Sequence, residues 1–225
     1  MDATFRYVAA LFSFALLAPD AAYAQTTITQ TKAVNGLGGC DRPGFPVTIC
    51  RPGSYKLTTN LRTSSENDPA VEISAPHVTL DLNGFAIIGK GVTGAANGVI
   101  AYRVAGSTNV TVMNGTVEGF GASGIALTGG NSRVHHVTAT NNGAIGINVE
   151  EGSLVTDCTA NFNFVGIQVR GGSNVVSNTI MSNSFVGLYF DTAGGYANNV
   201  MRDNGTDVVG GVQTDGNVCG TARCP

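Results

Sequence analysis

Between residues 134 and 209 the chain repeats at one spacing, and that period constrains the fold more than any other feature. Asn142, Asn163, Asn183 and Asn204 are separated by 21, 20 and 21 residues. Ile147, Ile167, Leu188 and Val209 step by 20, 21 and 21, and Val134, Val155 and Val175 by 21 and 20. A period of this size marks a solenoid, in which each coil buries its apolar side only against its neighbours. Within a coil the pattern alternates by two, as a strand requires. Val137-Thr138-Ala139 and Cys158-Thr159-Ala160 read as short strands with the threonine outward. Ile147-Asn148-Val149, Ile167-Gln168-Val169 and Leu188-Tyr189-Phe190 read as a second strand column with the middle residue outward. Gly146, Gly166 and Gly187 precede that column and are expected to permit a tight bend.

The aligned Asn142, Asn163, Asn183 and Asn204 fall in the turn between the strands. Stacked asparagines can hydrogen-bond one another and the turn backbone of the next coil, so their expected role is structural. Cys158 belongs to the column Val137, Cys158, Asn178, Asn199. There it reads as a small buried apolar residue rather than a nucleophile. If Asn178 and Asn199 also point inward, they must bond each other or the backbone.

Other solenoids fit less well. A leucine-rich repeat also aligns asparagine, but each coil here has a second period-two strand and no leucine-rich helical segment. A calcium β-roll needs Gly-Gly-x-Gly-x-Asp repeats, which are absent. The pattern favours an all-β, right-handed parallel β-helix. Gly53-Ser54-Tyr55-Lys56-Leu57, VTLDLNGFAIIG from Val78 to Gly89, and VTVMNGTVEGFG from Val110 to Gly121 extend it upstream. On these residues the chain resembles the bacterial right-handed parallel β-helix repeat proteins of the pectate-lyase-like class, over roughly residues 50 to 210. The resemblance implies the fold. It implies no single activity, because the class holds lyases, hydrolases, epimerases and adhesins. Residues 76–215 are expected to form six or seven coils, a rod about 30 Å long at strand spacing. Residues 25–75 are expected to form an N-terminal cap and first coil, and residues 216–225 a C-terminal cap over exposed strand edges.

The N-terminus predicts export. Arg6 precedes the apolar run Tyr7 to Ala18, and Ala22-Tyr23-Ala24 forms an A-x-A cleavage site, so residues 1–24 read as a signal peptide. The run is shorter than the roughly 20 residues of a bilayer span, and no membrane span is expected after cleavage. The expected location is secreted or periplasmic. Cys40 with Cys50 and Cys219 with Cys224 are two local pairs suited to disulfides in an oxidising compartment. Metal binding is the rival reading, but no histidine is near either pair and neither is C-x-x-C. A net charge of −3 offers no basic footprint for nucleic acid. No cofactor or metal is expected.

Two outward constellations are candidates for chemistry. His136 and Asp157 differ by 21 residues at one corner, with His135 adjacent. A histidine beside a carboxylate can act as a general base or bind metal; the plainer reading is a polar contact at a bend. The second set is Asn148, Gln168 and Tyr189 on one strand face, with Glu150, Arg170 and Asp191 forming a charge column beside it. Amides and an exposed ring suit sugar hydroxyls and a sugar face; the plainer reading is a solvated face with weak ion pairs. Likeness to pectate lyases would imply a calcium-binding Asp cluster and an Arg-x-Pro-x-x-Arg motif. Likeness to polygalacturonases would imply Asn-x-Asp, Asp-Asp, Gly-His-Gly and Arg-Ile-Lys. None occurs. Asp81, Glu118 and Asp157 show no pairing by column, so two-carboxylate hydrolysis lacks support. The expected function is a non-catalytic module binding an extended polysaccharide, a cell-surface glycan or a partner along one sheet. The alternatives are a polysaccharide lyase or glycoside hydrolase with a non-standard site and, more weakly, a periplasmic metal-handling accessory protein. Four Met and three His without clustering argue against the last.

Overall fold

The computed structural model describes residues 25–224. The expected signal peptide lies outside them. The chain winds as a parallel β-solenoid whose coils each contribute to two sheets. An eight-stranded sheet stacks Val47–Ile49, Val71–Ile73, Val99–Ala101, Ser123–Leu127, Ile145–Val149, Val165–Val169, Val186–Phe190 and Thr206–Val209 in sequence order. A sixteen-stranded sheet takes two segments from a typical coil, such as Leu154–Thr156 and Thr159–Asn161. In two coils the segments fuse into eight-residue strands, Thr111–Glu118 and Arg133–Thr140.

One strand per coil in the smaller sheet makes eight coils: six in residues 76–215, within the expected six or seven, and two in residues 25–75, where one was expected. The period hides the first ones. From Val47 to Val71, Val99, Ile125 and Ile147, paired residues step by 24, 28, 26 and 22; beyond Ile147 the steps to Ile167, Leu188 and Val208 are 20, 21 and 20. Residues 25–75 thus already supply strands to both sheets. The expected column member Val209 is displaced: Leu188 pairs with Val208, and Val209 continues Tyr189 on the outward side. In the last coil Val208 lies four positions after Asn204, where in the previous one Leu188 lies five after Asn183, and a one-residue slip in a strand moves a side chain to the other face.

The interior is a stack of fully buried Val, Ile and Leu, among them Val134, Val155, Val175, Ile147, Ile167 and Leu188. Each contributes about 1.5–3 kcal/mol by leaving water. Polar ladders close the corners. Asn142 N–H and Nδ2 donate to Asn163 Oδ1, Asn163 to Asn183, and Asn183 to Asn204, at 2.9–3.2 Å. Asn178, Asn199 and Asn217 form a second ladder, and Cys158 N–H donates to Asn178 Oδ1. A third, which the sequence reading missed, runs through the buried Ser132, Ser153 and Ser173. The inward-facing Asn178 and Asn199 are therefore satisfied.

Gly146, Gly166 and Gly187 keep ordinary negative-φ backbone, so the expected tight bend does not draw on glycine's freedom at positive φ and is not why they are glycine. A Cβ on Gly166 would lie 2.5 Å from Gly187 O and 2.7 Å from Asn183 Nδ2. The column is glycine because the next coil's backbone and asparagine ladder pass directly over it.

Cys40–Cys50 and Cys219–Cys224 are disulfides at the two ends of the rod. Near the first, the helix Gln30–Asn35 starts at Thr29, whose Oγ1 accepts the Lys32 N–H at 3.0 Å. Asp41 accepts the N–H groups of Leu37 and Thr48 at 2.6 and 2.7 Å, occupying the open edge of the first strand in the smaller sheet. Cys158 is free and buried. Burial pushes its thiol up to about 12, so it stays protonated and enclosed at neutral pH. Among the described residues no helix is long and apolar enough to cross a membrane.

Candidate functional site

The outward column of the smaller sheet places Asn148, Gln168 and Tyr189 in direct register on three successive coils. All three are half-buried, and Asn148 Oδ1 is itself buried without a hydrogen-bond partner, so on Asn148 only the Nδ2 side faces outward. Just beyond the strand ends, Arg170 bridges two carboxylates. Its Nε lies 2.6 Å from Asp191 Oδ2 and its Nη1 lies 3.3 Å from Glu150 Oε1. Tyr189 OH donates to Asp191 Oδ1 at 3.4 Å. Arg103 extends the chain of charges, reaching Glu151 at 2.9 Å and Glu150 at 4.0 Å. Sequence columns could not show Arg103, because it sits in a short 3-10 turn, Arg103–Ala105, outside the repeat. Exposed pairs of this kind contribute about 0–1 kcal/mol each. Their consequence is positional: the Arg170 guanidinium is held on both sides.

The His136 corner is built differently. His136 and Asp157 are stacked neighbours, since His135 pairs with Thr156. Both have left-handed backbone, φ 54°, as do Asn114, Ser177 and Asn198 in the same column. Such residues close a corner between two strand segments. No His136–Asp157 bond forms. Asp157 Oδ2 accepts from Thr156 Oγ1 at 2.9 Å, while the His135 and His136 Nδ1 atoms face each other at 2.9 Å across T-shaped rings. One Nδ1 therefore carries a hydrogen and the other accepts it. Asp81 and Glu118 lie in other columns: Asp81 pairs with Met113, and Glu118 with Thr140. Among the described residues no group of three or more His, Cys, Asp or Glu is placed to hold a metal ion.

Burial lowers the His135 pKa below its ordinary 6.5, with His136 and Arg133 adding to the effect and Asp157 and Asp81 opposing it. The unfolded chain takes up this proton near pH 6.5, the folded one only at lower pH. Below that pH the unfolded state binds more protons, so stability falls as pH drops. His135→Asn should flatten the fall in urea midpoint between pH 7.5 and 5. An unchanged slope would assign the loss to other groups.

A third feature was not read from the sequence. At the turn entering the smaller sheet, Phe162, Phe164 and Phe185 are 58%, 49% and 51% exposed. Phe164 and Phe185 stack with centroids 4.9 Å apart and planes 8° from parallel. They are 21 residues apart, so the period itself carried the signal.

A family model described as right-handed beta helix region matches residues 77–208. The chain belongs to the right-handed β-helix family. No curated protein and no solved structure matches it. Family membership accounts for the coil and its ladders. The fold by itself assigns no function, which has to be argued from the side chains of a site.

Proposed function

We propose that this protein is an exported β-helix module that binds an extended glycan along the outward face of its smaller sheet, without turning it over. The observation that carries the reading is the in-register column Asn148, Gln168, Tyr189 beside Arg170, itself fixed between Glu150 and Asp191. At a strand spacing of about 4.8 Å the column runs parallel to the rod axis, a suitable track for a polymer. Gln168 supplies a donor and an acceptor to sugar hydroxyls, Asn148 supplies donors from Nδ2, and tyrosine adds a flat apolar ring. Binding without chemistry is supported by how the carboxylates are used: Glu150 and Asp191 both engage Arg170, which leaves no free acid–base pair there. The two disulfides support export to an oxidising compartment.

The test is a glycan array, followed on every hit by reducing-end and unsaturated-product assays. Binding with no product is the expected result. Product formation would establish a lyase or hydrolase instead.

A further inference from the structure

Thirteen residues other than glycine adopt a left-handed φ among the described residues, and twelve are Asn, Asp, His or Ser. Short polar side chains and histidine are the types usually found there. The thirteenth is Phe162, φ 54°. Equivalent corners one coil before and one and two coils after carry Asn141, Ser182 and Asp203, so the fold accepts an ordinary residue at this point. Phe162 thus combines an unfavourable backbone with a ring held in water. Strain of this sort gathers at ligand-binding positions.

The ring does not stand alone. Phe162 lines an open hollow of about 430 Å³ with Val92, Asn141, Phe164, Ser182 and Ser184. Phe164 continues into the stacked pair with Phe185, whose N–H donates to Phe164 O at 2.9 Å, so the two rings sit on adjacent coils. No lining residue is charged. The platform therefore offers aromatic faces, neutral hydroxyls and amides, and nothing to balance an ionic ligand.

We infer that this turn is an aromatic stacking subsite for the ring of an uncharged oligosaccharide. The inference rests on the glycan-binding reading above and specifies the class of glycan. A sugar ring presents an apolar C–H face to a phenyl ring while its hydroxyls reach the rim, here Asn141, Ser182 and Ser184. A polyanionic chain finds no counter-charge in the hollow. A purely apolar peptide would bury the hydroxyls and amides without partners. The subsite is also continuous with the sheet face. Phe185 immediately precedes the strand Val186–Phe190, and its distance to Tyr189 along extended chain is about 13 Å, within one oligosaccharide.

The test titrates the protein with cellohexaose, chitohexaose and hexagalacturonate, in wild type, Phe162→Asn, Phe164→Ala and Tyr189→Ala forms. Phe162→Asn places a residue type native to this corner, so it retains the fold. The expected result is binding of a neutral hexaose, at least tenfold weaker in both phenylalanine variants, with hexagalacturonate at least tenfold weaker in wild type. Binding that weakens in Tyr189→Ala but not in either phenylalanine variant would overturn the subsite and leave the sheet-face reading standing, as would preferred binding of hexagalacturonate. Binding of none of the three would overturn both. A dimer in sedimentation that Phe162→Asn abolishes would assign the platform to a second copy of the chain and overturn the inference.

Discussion

Replacing Asn163 with alanine should lower the unfolding free energy by about 3 kcal/mol. Asn163 is 3% exposed and sits in mid-ladder. Its Oδ1 accepts the Asn142 N–H at 3.0 Å and Asn142 Nδ2 at 3.1 Å, while its Nδ2 donates to Ala139 O at 3.1 Å and Asn183 Oδ1 at 3.2 Å. Alanine leaves the Asn142 amide and the Ala139 carbonyl buried with no replacement for those bonds. Each orphaned buried group costs about 1–3 kcal/mol, against a typical total stability of about 5–15 kcal/mol. Urea unfolding should show a lower midpoint at unchanged slope. Asn204→Ala should cost less, because Asn204 is only half-buried and ends the ladder on Asp207. Equal midpoints for wild type and Asn163→Ala would mean that the ladder contributes nothing to stability.

Gly166→Ala should have an effect of similar size for a different reason. The added methyl would meet Gly187 O at 2.5 Å, and Asn183 Nδ2 and Ile180 Cγ2 both at 2.7 Å. Two of these belong to the backbone and the asparagine ladder of the next coil, which can move only by separating the coils. Overpacking of this kind costs about 1–3 kcal/mol, and a rigid backbone neighbour places it at the upper end. For a chain of this size that lowers Tm by roughly 6–12 °C. Gly172→Ala is the control: a Cβ there meets nothing within 4 Å, so its cost is the left-handed backbone alone. A Gly166→Ala melt no lower than that of Gly172→Ala would contradict the close approach of the coils.

The fold was legible where the coil is shortest. From Ile147 onward the coils have 20 or 21 residues, so Asn142, Asn163, Asn183 and Asn204 align by arithmetic and do stack. Upstream, insertions such as the segment between Ile73 and Val99 lengthen the coil while preserving the strands, and the period disappears though the stacking does not. Ser132, Ser153 and Ser173 kept the period but are common surface residues, so their burial had no distinguishing mark in the sequence. The sheet-face column was legible because alternation fixes which side of a strand is outward. Arg103 was not, because its contact with Glu151 spans 48 residues and starts from an irregular turn. Phe162 was hidden for a backbone reason: nothing in a phenylalanine signals a left-handed corner, though Asn141, Ser182 and Asp203 occupy the equivalent position with residues suited to it.

The most direct test of glycan binding along the smaller sheet is a titration of one bound glycan against three forms of the protein: wild type, the Tyr189→Ala/Gln168→Ala double variant, and His136→Ala. The double variant removes outward side chains from two adjacent coils and leaves the buried Ile167 and Leu188 beneath them untouched. At least a tenfold loss of affinity in the double variant, with His136→Ala unchanged, is the predicted result. Binding that survives in the double variant and fails in His136→Ala would contradict it and place the working surface at the histidine corner.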